Sequence, residues 1–310
     1  SANAVNADAG QITYTQWLNE RGLLEADLTV TRLGEDDFNV VTSDVIQTRI
    51  LWMIRRAIRD LGADAHVVEH TSGTSLFTVQ GPNSRALLSR LSPDDFSNEA
   101  FPYLSARPVE IGYAPVLALR VTYLGELGWE LHVPADLAAG VYESLFAVGE
   151  ELGLVPTGLS ALSTLRLEKG YRDYGHDIDN TDDVLSAGLG FAVAWDKPGG
   201  FIGREALVAL RAAGPPRRRL VQVQLTDPEP MMYHAEVVSR DGLPVGYVRA
   251  ASYGHTVGGA VGLAMVGFDE PVTTELVATG DWTVEVGGAV VPALASLRPL
   301  YDPTNARIRA

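Results

Sequence analysis

Gly214-Pro215-Pro216 divides the chain into two stretches with different hydrophobic periods. Before it, short alternating runs interleave with longer stretches of three-to-four-residue spacing; after it, only short strand-like runs between Gly and Pro turns remain. Such a chain must pack helices on sheets in its first two-thirds and close a small all-β unit at its end. We therefore divide it into 1–214, read as two interleaved α+β subdomains, and 217–310, read as a β-barrel-like domain. A length of 310 residues suffices for such units to fold without disulfide or metal staples.

The first region opens as a β-meander, with strand-like runs at Ile12–Leu18, Asp27–Leu33 and Phe38–Thr42. Ser43 is placed to cap a helix in which Ile46, Ile50, Ile54, Ile58 and Leu61 share a stripe and Gly62 ends the run. Strands at Ala65–Glu69 and Ser75–Gln80 follow, then helices over Pro82–Leu91, Asp136–Leu152 and Thr157–Lys169. Tyr171–Gly190, rich in Gly, Asp and Asn, reads as a long loop. Hairpins in place of long crossovers give α+β layers with mainly antiparallel sheets. Beyond the Pro pair, strands are expected at Leu220–Leu225, Glu236–Ser239, Pro244–Tyr247, Gly262–Val266 and Trp282–Val286.

Composition excludes several kinds of chemistry. Without cysteine there are no disulfides, no thiol nucleophile and no cysteine-ligated metal. A formal charge of −15 disfavours a nucleic-acid partner, and Arg217-Arg218-Arg219 reads as a solvated linker end. No run is long enough to span a membrane, and the first residues lack the pattern of a signal peptide, which points to a cytoplasmic protein. His66 and His70 have helical metal-pair spacing but lie in a strand-like run that would splay them, so no metal site is read there. The Gly-rich segment around Gly254–Gly262 does not follow the dinucleotide-binding spacing.

Two places carry chemistry. In Tyr123-Leu-Gly-Glu-Leu-Gly-Trp-Glu130, the runs Ala118–Leu124 and Trp129–Val133 flank a turn and read as a hairpin. With Leu124 opposite Trp129, Tyr123 would face Glu130 across the ladder, a phenol beside a carboxylate suited to a flat heterocycle with adjacent N–H donors. In the meander, Asp27 starts its strand on the same face as Thr29 and Thr31, within pairing reach of Tyr14.

Six ordered segments together resemble one family: Tyr14-Thr-Gln-Trp-Leu-Asn-Glu-Arg-Gly22, Glu25-Ala-Asp-Leu-Thr-Val-Thr-Arg-Leu33, Val79-Gln-Gly-Pro-Asn-Ser84, Leu119-Arg-Val-Thr-Tyr-Leu-Gly-Glu-Leu-Gly-Trp-Glu130, Leu165-Arg-Leu-Glu-Lys-Gly-Tyr171 and Tyr253-Gly-His-Thr256. The chain resembles the aminomethyltransferase (glycine-cleavage T-protein) superfamily, most of all the folate-binding portion of dimethylglycine and sarcosine dehydrogenases. The resemblance implies a clover-like arrangement of subdomains around a tetrahydrofolate pocket. Asp27 matches the catalytic aspartate, Tyr14 a tyrosine of the same pocket, and Tyr123 and Glu130 the pair that holds the pterin. Ser43 and Arg166 complete the implied cofactor-binding set, Leu162 standing where the family has its folate-tail arginine. The family's opening segment before the position of Tyr14 and the flavin domain of the dehydrogenases have no counterpart here, so neither flavin nor metal is expected in this chain.

The implied activity is transfer of a methylene (aminomethyl) group from a small amine donor to tetrahydrofolate, with a separate flavoprotein dehydrogenase or a lipoyl carrier protein as partner. Two alternatives stay open at this point: a folate-dependent O- or S-demethylase, and a non-catalytic folate-binding module that works with a separate flavoprotein.

Overall fold

A computed structural model describes residues 1–5 and 8–310. It contains two open antiparallel sheets and one closed barrel. The first sheet is the meander β1 (Ile12–Leu18), β2 (Leu24–Arg32) and β3 (Phe38–Thr42). β2 runs three residues further toward the N-terminus than the sequence suggested, so Asp27 sits in the middle of a strand and not at its start. Alternation does the sorting: Ala26, Leu28 and Val30 turn to one face and pack with Ile50 of the helix α1 (Gln47–Leu61), while Asp27 and Thr29 turn to the other. Gly62 adopts the left-handed conformation (φ 59°) that ends α1. Ser43 does not cap α1. It precedes a 3-10 turn over Asp44–Ile46 and makes no side-chain capping bond. Residues 65–69 form no strand, although their composition favours one; among the described residues no strand pairs with them.

The second sheet has the order β4-β7-β6-β5, from β4 (Thr74–Gln80), β5 (Ala106–Ile111), β6 (Ala114–Leu119) and β7 (Gly128–Pro134). The helices α2 (Ser84–Leu91) and α3 (Ala138–Gly149) cover one face. Trp129, fully buried, centres that core with Phe96 and Phe101 edge-on at 5.4 and 6.0 Å. Since β7 alternates, burying Trp129, Leu131 and Val133 against the helices turns Glu130 and His132 to the opposite face.

The anticipated hairpin register does not form. Glu130 lies opposite Leu119 on β6 and Thr78 on β4, and Tyr123 lies beyond the end of β6. The cause is local. Arg120 turns its N–H to Ser105 O (2.8 Å), and Thr122 Oγ1 accepts from the N–H groups of Leu124, Gly125 and Glu126 (3.1, 3.1 and 3.3 Å). A side chain that satisfies three successive donors offers the backbone an alternative to the ladder. Gly125 in this loop has φ +82°, and a Cβ there would come within 2.8 Å of the Lys169 side chain.

After α4 (Leu159–Glu168) the chain crosses a long segment without regular strands to α5 (Arg204–Ala212), a helix with Leu207 fully buried that the sequence reading passed over. The closed barrel then follows, in the order β10-β11-β8-β13-β12-β9. Its strands are β8 (Arg218–Leu225), β9 (Val237–Arg240), β10 (Leu243–Gly254), β11 (Gly259–Gly267), β12 (Trp282–Val286) and β13 (Ala289–Ser296). Arg218 and Arg219 are strand residues and not linker: Arg218 pairs with Asp182 at 3.2 Å, and Arg219 donates to Leu185 O. Three buried contacts lock the barrel side onto α4. Glu168 Oε1 accepts from the N–H groups of Thr256 (2.6 Å) and Val257 (3.0 Å), Gln222 Nε2 donates to Leu167 O (2.6 Å), and Lys169 Nζ pairs with Asp302 Oδ2 (3.0 Å). The 171–189 segment joins the first sheet to the barrel: the Leu24 N–H of β2 donates to Asp182 O (2.9 Å), and the Leu220 N–H of β8 donates to Ser186 O (2.8 Å).

Candidate active site

Asp27 and Gln16 are direct cross-strand partners on β2 and β1, and Tyr14 lies one pleat along on the same face. Each carboxylate oxygen of Asp27 has one donor: Gln16 Nε2 to Oδ1 and Tyr14 Oη to Oδ2, both at 3.0 Å. The Asp27 carbonyl accepts from Thr42 Oγ1 at 3.2 Å, which ties the strand to β3. Burial pushes the Asp27 carboxyl up to about 6, against the hydrogen bonds from Gln16 and Tyr14 that favour its ionised form; the Asp177 charge adds to the rise and the Arg172 charge opposes it. Tyr14 is pushed well above the usual phenol range, first by burial and then by the Asp27 charge, so it remains a donor.

The 171–189 segment supplies the opposite wall. Asp177 is fully buried; its Oδ2 takes Arg166 Nη1 at 3.1 Å and its Oδ1 takes the Asp173 N–H at 2.6 Å. Arg166 also donates to Tyr171 O at 3.0 Å, and its guanidinium is almost wholly buried. Arg172 donates from Nε to Ala187 O (3.0 Å) and from Nη1 to Gly170 O (2.6 Å), and burial lowers its proton affinity. Tyr123 reaches this wall from the 120–127 loop: its hydroxyl donates to Arg172 O at 2.7 Å, and its ring stacks on Tyr171 at 6.2 Å with 12° between planes. Burial raises the Tyr123 phenol, and the charges of Arg166, Asp173, Asp177 and Asp27 all act on it.

The structure thus brings Tyr14, Asp27, Tyr123 and Arg166 to one polar locus at the seam of the meander, the 120–127 loop and the 171–189 segment. Glu130 sits apart on β7. It is partly buried, with His132 Nε2 at 3.7 Å from its Oε2, and no hydrogen bond joins it to Tyr123 or Asp27 among the described residues. Ser43 is half-buried, with its Oγ 3.5 Å from Asp44 Oδ1. Gln16 was missed in the sequence, although strict alternation from Tyr14 puts it on the same face. Asp177 was missed because nothing near it in sequence marks an aspartate in an irregular segment as buried. No group of three or more residues able to hold a metal occurs among the described residues, nor any helix long and apolar enough to cross a membrane.

Residues 1–197 match the GCVT N-terminal domain family, and residues 218–302 match the glycine cleavage T-protein C-terminal barrel domain. This chain belongs to the glycine cleavage T-protein family. An aminomethyltransferase from Halothermothrix orenii is 34% identical over 275 residues, covering 88% of this chain and 74% of its own length. Similarity extends to 4-methylaminobutanoate oxidase (formaldehyde-forming) from Paenarthrobacter nicotinovorans, 44% identical over 98% of this chain and 36% of the oxidase. Human mitochondrial sarcosine dehydrogenase is 33% identical over 98% of this chain and 35% of the dehydrogenase. The chain spans about a third of the length of these two relatives. The crystal structure of aminomethyltransferase T from Bartonella henselae superposes with a TM-score of 0.81 over 96% of this chain and 77% of that one; at 24% identity this is a likeness of fold. The T-protein clover and its terminal barrel are therefore the architecture of this chain.

Proposed function

We propose that this chain is a tetrahydrofolate-dependent one-carbon transferase, moving a methylene (aminomethyl) group from an amine donor to tetrahydrofolate. The observation that carries the reading is Asp27, a carboxylate held by two neutral donors with no cation bonded to it among the described residues. Its proton affinity, at about 6, leaves it mostly ionised at neutral pH. An anion held this way is free to stabilise positive charge on a bound amine.

The residues present suit a reduced pterin. Glu130 offers a partly buried carboxylate that accepts no hydrogen bond within the chain among the described residues, matching a pair of adjacent N–H donors. Tyr123 donates to Arg172 O and so presents only acceptor lone pairs to a ligand. Bound tetrahydrofolate would supply the nucleophilic nitrogen that takes up the one-carbon unit. Asp27 would hold the donor's positive charge and accept the N–H that fixes its orientation, Tyr14 would keep Asp27 in place, and Arg166 would brace the 171–189 wall through Asp177. Ser43 would border the pocket from the end of β3. The names of the relatives favour an N-methyl amine as the source of the one-carbon unit, activated by a flavoprotein dehydrogenase or delivered by a lipoyl carrier.

Titration calorimetry with tetrahydrofolate, followed by a single-turnover assay with an aminomethyl donor, tests the reading. Binding together with transfer is the expected result. Absence of folate binding in a folded chain contradicts the reading, and binding without transfer to any amine donor reduces the chain to a folate carrier.

A further inference from the structure

Gln16 is fully buried, and its two ends are treated differently. Nε2 donates to Asp27 Oδ1 at 3.0 Å, whereas Oε1 has no hydrogen-bond partner among the described residues. The amide orientation follows from chemistry: turned over, it would set a carbonyl oxygen against an ionised carboxylate oxygen. A buried acceptor left unmade is costly, and native interiors rarely keep one without a use. This one adjoins the carboxylate to which the amine-transfer role falls.

We infer that Gln16 is a positioning residue for Asp27, and that its side-chain carbonyl accepts an N–H from the bound substrates. Gln16 and Asp27 then form a two-acceptor edge, one neutral and one anionic, which a ligand presenting N–H groups would span. Tetrahydrofolate and a protonated N-methyl amine both carry such groups. The inference rests on the transferase reading for its ligands, but not for the effect of Gln16 on Asp27.

Besides Gln16, the groups acting on Asp27 are Tyr14 from β1 and Asp177 and Arg172 from the 171–189 segment; the Asp27 charge is in turn felt at Tyr123 in the 120–127 loop. Among the described residues only Gln16 and Tyr14 bond to the carboxylate oxygens, so replacing Gln16 removes one of two direct donors while the charged groups stay in place.

The decisive experiment is carboxyl ¹³C NMR of the ligand-free protein labelled at aspartate, with Asp27→Asn used to assign the resonance. In the wild type Asp27 is expected to titrate near 6. Gln16→Met, similar in volume and unable to donate, should raise that midpoint by about one unit. Gln16→Glu sets a second carboxyl against Asp27, so the two should share a proton and titrate in two separated steps. It serves also if the Met variant does not fold. An Asp27 midpoint that stays at the wild-type value in either folded variant overturns the positioning role.

Calorimetry on Gln16→Met then reads the carbonyl. A roughly tenfold loss of affinity for tetrahydrofolate, with N-methylglycine unaffected, identifies the folate as the N–H source; the reverse identifies the amine. Unchanged affinity for both overturns the ligand contact. Should the wild type bind neither, the transferase reading fails, and the NMR midpoints still decide the positioning role.

Discussion

Asp27, half-buried, and Asp177 and Asp182, fully buried in the 171–189 segment, are compensated in opposite ways. Asp177 is paired with Arg166 at 3.1 Å, and Asp182 with Arg249 and Arg218. Asp27 has a phenol and an amide and, among the described residues, no bonded cation. Ion-paired carboxylates already have their counter-charge inside the fold, so they brace it. A carboxylate held by neutral donors keeps its charge available; burial raises the proton affinity of Asp27 and of Asp177 alike, so the partner and not the shift marks the difference. On the proposed reading, the difference separates a supporting wall from a reacting group.

The comparison breaks most visibly if a wall cation is removed. Arg166→Met leaves Asp177 buried without its partner, and urea unfolding should show a loss of about 3–5 kcal/mol. A loss below about 1 kcal/mol, as for an exposed pair, would mean that the wall is not braced by charge. On the ligand side, Glu130→Gln removes an acceptor charge without changing shape. Tetrahydrofolate affinity should fall roughly tenfold to a hundredfold by calorimetry, while stability stays within about 0.5 kcal/mol.

Asp27→Asn sharpens the contrast through stability. The Asp27 carboxyl is raised from 3.8 to about 6 on folding, so its ionised form opposes folding at neutral pH and its protonated form does not. The associated stability is therefore fully present below the unfolded value and is lost as pH rises through about 6. Asp27→Asn should accordingly stabilise the fold at pH 7–8 by on the order of 2 kcal/mol, with the gain vanishing below pH 4. The bare shift would give somewhat more; the side chain is only half-buried, so solvent screens part of it. Denaturant curves at the two pH values check this, and an equal effect at both would remove the link to Asp27 ionisation. The smallest effect is expected for Tyr14→Phe, which deletes one donor and should move the acid limb of turnover upward by about one pH unit.

Much of this site was legible in the chain. The strand at Ile12–Leu18 and the placing of Tyr14 near Asp27 could be read from the chain, and the Gly-Pro-Pro break lies just before the first barrel strand. The pairing of Tyr123 with Glu130 did not follow. A side chain at position 122 that collects three N–H groups competes with the ladder, and hydrophobic pattern carries no trace of that competition. Residues 65–69 failed for the converse reason: β-propensity describes fit to a sheet surface, and no strand pairs with them among the described residues. The pairing of Arg166 with Asp177 joins a helix to an irregular segment, a contact that neither local pattern specifies.

The central claim is that the Asp27 carboxylate, once ionised, bears the charge of the transfer step. Single-turnover transfer of an aminomethyl carbon to tetrahydrofolate, followed from pH 5 to 8 in the wild type and in Asp27→Asn, tests it most directly. The wild-type rate should rise with a midpoint near 6. The variant should be slower by about 10²–10⁴ and flat across the range, with folate affinity unchanged. A variant that binds folate and transfers at the wild-type rate would contradict the account.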